Sequence, residues 1–257
     1  MKYNAAHMGV GRSHKISSKF IGKTVAIQGT KRKSNEHVLF ERTREHVVFH
    51  FPNQGQTHND AAGVAIMIPK EDMEMVHTIG YSTDKELKGR VGYVRIAKKN
   101  KMDITFMTVY APVEGTDRQL TGKVWDWIEE IINKVKGQSI VIIGTDSNGH
   151  TGADKNGEEE DVQVIGTEGS EGSNNWNGER MVKTMKKVGM IAINTHWEGA
   201  GGPTYFTQRD GKDKSTRVDY ILIPATRTST VWDVQTMPEV GKATQDSSPM
   251  TTIPLEG

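Results

Sequence analysis

The stretch Ser139-Ile-Val-Ile-Ile-Gly-Thr-Asp-Ser-Asn-Gly-His-Thr-Gly152 constrains this chain more than any other. Four consecutive apolar residues, Ile140 to Ile143, read as a strand buried on both faces. The run then breaks into Thr145, Asp146, Ser147, Asn148, Gly149 and His150, which are small, polar and turn-forming. A carboxylate and a carboxamide two residues apart at a strand end point the same way, into whatever cleft lies there. The same residues also suit an Asx-rich turn that caps its own backbone, and spacing alone leaves both readings open.

The remaining periodicities surround that strand with others. Lys23 to Gln28, Gly63 to Ile68, Met190 to Asn194 and Arg217 to Ile223 read as strands, and His46 to His50 alternates weakly. Arg90 to Ile96 and Asp103 to Tyr110 alternate about a turn at Lys98 to Lys101, and Val231 to Val234 and Thr251 to Leu255 close the chain as short strands. Between Asp117 and Lys136 the period changes: Val124, Trp127, Ile128, Ile131, Ile132 and Val135 fall on one helical face. Glu179 to Val188 is a second amphipathic helix, with Met181, Val182, Met185 and Val188 inward. Gly157 to Asn177 and Glu198 to Lys214 read as loops. Many strands with two or three helices imply two sheets packed face to face, with helices covering the outside. No linker or break in composition divides the 257 residues, so a single domain, 1–257, is expected.

A net charge of +1 hides an uneven distribution. Lys2, Arg12, Lys15, Lys19, Lys23, Lys31, Arg32 and Lys33 all precede the first acid, Glu36. This basic segment, 1–35, suits a phosphate-rich partner such as RNA or DNA, and equally a solvated tail or a targeting segment. The chain has no cysteine, which excludes disulfides and thiolate metal sites. No apolar run is long enough to span a bilayer and no secretory signal is recognisable, so a soluble, intracellular protein is expected.

Five segments in one order carry a resemblance. They are Val25-Ala-Ile-Gln-Gly-Thr-Lys31, Thr108-Val-Tyr-Ala-Pro112, Thr145-Asp-Ser-Asn-Gly-His150, Ser215-Thr-Arg-Val-Asp-Tyr-Ile-Leu-Ile223 and Gln245-Asp-Ser-Ser-Pro-Met250. Together they resemble the endonuclease/exonuclease/phosphatase superfamily over nearly the whole chain. The nearest look is to the branch of non-LTR retrotransposon endonucleases and craniofacial-development-protein-2-like proteins, which Asn177-Gly-Glu-Arg180 also resembles. The resemblance implies a four-layered α/β sandwich, two facing mixed β-sheets flanked by helices, that hydrolyses phosphate esters with Mg²⁺. It also implies roles for Asp146 and Asn148 at the attacking water, Tyr110 at the phosphate and Asp219 as the orienter of a C-terminal His. Asn4 and Asp246 match positions of the metal site.

Two departures stand out. Where the family reads Gln-Glu-Thr, this chain reads Gln28-Gly29-Thr30, so the principal metal ligand has no side chain. Where the family reads Ser-Asp-His, this chain reads Gln245-Asp246-Ser247, and a hydroxyl cannot replace an imidazole that titrates near neutral pH. Losing one member of such a catalytic unit costs on the order of 10⁴ in rate. Glu36, Asp60 and His150 lie near in sequence, but no spacing places them on the lost positions. The expectation is a degenerate, inactive protein of this fold, without a cofactor, serving as a subunit of a larger assembly. The alternatives are a Mg²⁺-dependent endonuclease with a rewired site and an RNA- or DNA-binding module using the basic segment.

Overall fold

A computed structural model describes residues 2–4, 10–54, 62–152, 162–168, 172–209, 212–237 and 250–252. The chain forms two compact units, Met1–Tyr110 with Lys134–Gly144 and Ala111–Asn133 with Thr145–Gly257, and so passes between them three times.

In the first unit, β-branched and aromatic runs become strands, as their propensity favours. The strands β1 (Lys2–Asn4), β2 (Val25–Gln28), β3 (Leu39–Arg42), β4 (His46–Phe51) and β5 (Val64–Pro69) form one mixed sheet in the order β1-β2-β5-β4-β3. β1 runs parallel to β2, and the other pairs are antiparallel. The interior strands β4 and β5 are buried at every position. A second sheet contributes β6 (Val76–Tyr81), β7 (Val91–Ile96), β8 (Asp103–Tyr110) and β9 (Ser139–Asp146, as far as Gly144) in the order β9-β8-β7-β6. The two sheets face each other. Val47, Phe49 and Phe51 of β4 and Val64, Ile66 and Ile68 of β5 pack with Val94 and Ile96 of β7. Gly92 is required there, because a Cβ would run into the Phe51 ring.

Alternation along β4 turns His46, Val48 and His50 to the opposite face, where helix α1 (Val10–Lys19) lies. Ser13, Ile16, Ser17 and Phe20 form its buried side. Ser17 Oγ sits 2.7 Å from Thr43 Oγ1 and 2.9 Å from His46 Nδ1, and His46 Nε2 sits 2.9 Å from the Lys23 carbonyl. The basic segment, over its described residues, is therefore an integral layer of the fold and not a solvated tail. Beyond α1, Arg32 Nη1 donates to Glu41 Oε2 at 2.8 Å, and His50 Nε2 lies 3.0 Å from the same oxygen. Burial opposes the charge on Glu41, but the bonds from His50 and Arg32 outweigh it and hold the pKa at about 2. Burial also keeps His50 below its ordinary value, against the pull of Glu41.

The second unit holds α2 (Arg118–Val135, through Asn133), α3 (Trp176–Val188), and β10 (Met190–Ala192) antiparallel to β13 (Asp219–Pro224). It also holds the hairpins β11 (Tyr205–Arg209) with β12 (Lys212–Thr216) and β14 (Gln235–Met237) with β15 (Met250–Thr252). α2 buries Val124, Trp125 and Ile128, and α3 buries Met181 and Met185. Ion pairs Arg180–Asp126 and Lys187–Glu129 join the two helices along their exposed flanks.

Several expectations need correction. Ile140 and Ile142 are half-buried, while Val141 and Ile143 are buried, so β9 alternates and is not covered evenly on both faces. Residues 231–234 carry no ladder although Val231 and Val234 are buried; the strand begins at Gln235. β10 stops at Ala192 and tightens into a 3₁₀ turn, Ile193–Thr195. α3 starts at Trp176, because Asn175 Oδ1 accepts from the Gly178 N–H and caps it. Among the described residues no helix is long and apolar enough to cross a membrane.

Candidate functional site

In the second unit, Asp146 ends β9 and is 4% exposed, and Asp219 opens β13 and is 3% exposed. Asp146 Oδ1 accepts from the Asn148 N–H at 3.1 Å, and its carbonyl accepts from the Ala111 N–H at 2.9 Å. Asn148 takes a left-handed φ of 45°, which its short amide tolerates. Its Nδ2 donates to the Ala111 carbonyl at 2.8 Å, which turns the amide oxygen away as the end that can meet a ligand. Between the two acids, the Ser147 N–H and Oγ both donate to the Val218 carbonyl, at 2.8 and 3.0 Å. Thr204 Oγ1 accepts from the N–H groups of Val218 and Asp219, each at 3.1 Å.

The N-terminus of α3 brackets this arrangement. Asn177, 1% exposed, directs its Nδ2 at the carbonyls of Pro112, Asn148 and Ser147, at 2.9, 3.2 and 3.4 Å. Its backbone N–H donates to Glu114 Oε2 at 2.9 Å, where a helix N-terminus favours an anion. Gly149 and Gly178 make the close approach possible, since a Cβ on Gly178 would strike the His150 carbonyl and one on Gly149 would strike the Gly178 nitrogen. His150 is committed through its backbone, its N–H donating to Asn175 Oδ1 at 3.2 Å. Asn177 and Thr204 hold the acids in place; the Asn-Gly pair was a visible sequence signal for the first, and nothing in the sequence marked the second.

In the first unit, Asn4 pairs directly with Gln28 across β1 and β2, which sets it beside Gly29. Gly29 has a φ of 66°, a left-handed conformation that side-chain-bearing residues rarely adopt. Gln28 is fully buried: its Nε2 donates to Thr108 Oγ1 and to the Gly144 carbonyl, both at 2.9 Å, and its Oε1 has no hydrogen-bond partner among the described residues. Tyr110 ends β8, half-buried, with the Arg90 guanidinium 5.9 Å from its ring centre. Arg90 Nη1 also donates to the Tyr110 carbonyl at 3.3 Å, and the Tyr110 N–H donates to the Arg90 carbonyl at 2.8 Å.

Asn4 and Gly29 thus come together in one unit, and Asp146, Asn148 and Asp219 in the other. Asp246, Ser247 and Asp60 lie outside the described residues, and Glu36 is exposed with its N–H on Ser34 Oγ. A Mg²⁺ ion of the kind the resemblance implies wants carboxylate oxygens. At the Gly29 turn the nearest spare oxygen in sequence is the neutral Gln28 Oε1, and among the described residues no three His, Cys, Asp or Glu side chains gather as a metal site. The described residues supply the acid pair Asp146 and Asp219, with no third acid or imidazole gathered beside it among them.

No protein-family model matches the sequence. No curated protein matches it either. Solved structures do match the fold. An AP endonuclease from Leishmania major aligns with a TM-score of 0.70 at 14% identity, over 100% of this chain and 87% of its own. The endonuclease domain of TRAS1, a telomere-specific non-LTR retrotransposon, aligns with a TM-score of 0.64 at 14% identity, over 100% and 97%. A Neisseria 3′ phosphatase solved with a product DNA hairpin aligns with a TM-score of 0.65 at 12% identity, over 100% and 98%. The chain has the α/β fold of these structures, a retrotransposon endonuclease domain among them.

Proposed function

We propose that this chain is a catalytically degenerate protein of the endonuclease/exonuclease/phosphatase fold, which acts by binding as a subunit of a larger assembly with nucleic acid as a component. The observation that carries the reading is Gly29. Where the resemblance calls for a metal-binding carboxylate, the chain has no side chain, and its backbone has taken a φ of 66° that disfavours one. Ser247 in place of the His removes a second member of the same unit. The neighbours of known structure, an AP endonuclease, a retrotransposon endonuclease and a DNA-bound 3′ phosphatase, support nucleic acid as the partner.

A second reading keeps hydrolysis: a phosphodiesterase with a rewired site that takes Mg²⁺ from solution. The buried, bonded frame of Asp146, Asn148 and Asp219 favours it, because two acids kept below 5% exposure need continuing support to stay there. Incubating the purified chain with plasmid DNA and a phosphomonoester at millimolar Mg²⁺ or Mn²⁺ separates the two. The first reading expects no metal-dependent product above background. Cleavage that Asp146→Asn abolishes would establish the second.

A further inference from the structure

We infer that the outward face of α1 is a strip that binds the phosphate backbone of nucleic acid; the inference rests on the nucleic-acid reading above. The seam beneath α1 sets its rotation. With Ser13, Ile16 and Ser17 turned inward, His14, Lys15, Ser18 and Lys19 are exposed together. Lys15 and Lys19 stand one turn apart, about 6 Å along the axis. Lys23, past the end of the helix, is exposed as well, its carbonyl tied to His46 Nε2 at 2.9 Å. The Ser17–Thr43 contact brings the turn between β3 and β4 alongside, where Arg42 and Arg44 are exposed, the latter paired with Glu45 at 3.1 Å.

Lys15, Lys19 and Lys23 make no ion pair with a described residue. Lys15 and Lys19 on the helix and Lys23 just past it, with no acid before Glu36 in the sequence, give this segment a surplus of exposed positive charge. The cluster Lys31 to Lys33 differs, because Arg32 is committed to Glu41 and His50. An acidic protein is the weaker match. Protein interfaces bury an apolar centre and are poor in lysine, whereas among the described side chains of residues 11–23 the one large apolar group exposed is Ile21, at 63%. Phosphates spaced along a strand suit isolated, fully hydrated ammonium groups.

The test measures binding of the full chain to a 20-base-pair DNA duplex and to a single-stranded RNA between 50 and 200 mM salt. The wild type is compared with a Lys15→Ser, Lys19→Ser, Lys23→Ser variant. A variant with the same charge loss elsewhere, Lys99→Ser, Lys101→Ser, Lys136→Ser, serves as the control. The strip variant is expected to flatten the log–log salt slope on duplex by about 2.7, roughly 0.9 for each lost phosphate contact, while the control keeps the wild-type slope. If wild type and strip variant show the same slope, the strip is wrong and the nucleic-acid reading stands. If the wild type binds neither nucleic acid, that reading itself falls. Binding to polyglutamate alone, abolished by the strip variant, would reassign the surface to an acidic protein and overturn the proposal. Circular dichroism checks that α1 remains folded in both variants.

Discussion

The Ser147 N–H donates to the Val218 carbonyl at 2.8 Å, and the carboxylates of Asp146 and Asp219 each stand one residue from that bond. Two chain segments more than seventy residues apart in sequence therefore present their acids from adjoining backbones. Thr204 secures one side, accepting from both Val218 and Asp219 while itself fully buried. Thr204→Val keeps the shape but takes this acceptor from the buried Asp219 N–H and the part-buried Val218 N–H, and should cost about 2–3 kcal/mol. The urea midpoint measures it; a shift of less than about 0.5 kcal/mol would remove Thr204 from this role.

Asn177→Ala should be nearly as damaging. One amide faces three carbonyls across two loops, and its removal strands them in a site that is 1% exposed. A loss of about 2–3 kcal/mol is expected. Amide exchange should rise first at Ser147 to His150, the segment that the bracket holds. Uniform exchange across the second unit would mean that Asn177 acts only on global stability.

Gly29 offers a backbone test. At a φ of 66°, Gly29→Ala should destabilise by about 1–2 kcal/mol, and Gly29→Asn by less, because Asn tolerates this region. Gly29→Glu carries the same strain. The double change Gly29→Glu, Ser247→His should gain more Mg²⁺-dependent cleavage than the two single changes combined, since metal and imidazole act as one unit. An unmodified chain that cleaves as fast as the double variant would defeat the degenerate reading.

Acid should weaken the first unit in two stages. Glu41 has a folded pKa of about 2 against an ordinary 4.5, so the unfolded chain takes up its proton first. Its stabilisation is complete above pH 4.5 and is lost as pH falls toward 2, on the order of 3 kcal/mol in all. His50, depressed below 6.5, likewise protonates more readily when unfolded, so stability begins to decline below that pH. Urea midpoints from pH 8 to pH 3 should show both stages in the wild type. Glu41→Gln should remove the lower stage and His50→Asn the upper; profiles parallel to the wild type would show that neither group controls the acid limb.

Much of the fold was legible because the responsible residues are apolar and regularly spaced: β4, β5, β7, β8, α2 and α3 all appear close to where periodicity puts them. α1 was not legible. Half of its buried side is Ser13 and Ser17, small polar residues of which Ser17 hydrogen-bonds to Thr43 and His46 instead of joining an apolar stripe, so the helical period was invisible. β3 alternates half-buried with exposed residues over only four positions, and β11 with β12 sits inside a run rich in glycine and charge. The same physics explains Val231 and Val234, which are apolar and buried without being paired. At the site, the family resemblance pointed to Asp146, Asn148 and Asp219, which share one unit, but it could not reveal Thr204, an isolated threonine whose importance lies in two backbone donors far along the chain.

The threading of the chain between its two units has a consequence for biosynthesis. β9 neighbours β8 in the second sheet, yet the stretch Ala111–Asn133, which includes most of α2, comes between them in sequence and belongs to the other unit. While the polypeptide emerges from the ribosome, β8 leaves one edge of backbone N–H and C=O groups unpaired until Ser139 to Gly144 have been made. Such an edge is a template for strands of other nascent copies. A fragment cut at Tyr110 would keep that edge permanently, so isolating the first unit requires joining Tyr110 to Lys134 through a linker and not a simple truncation.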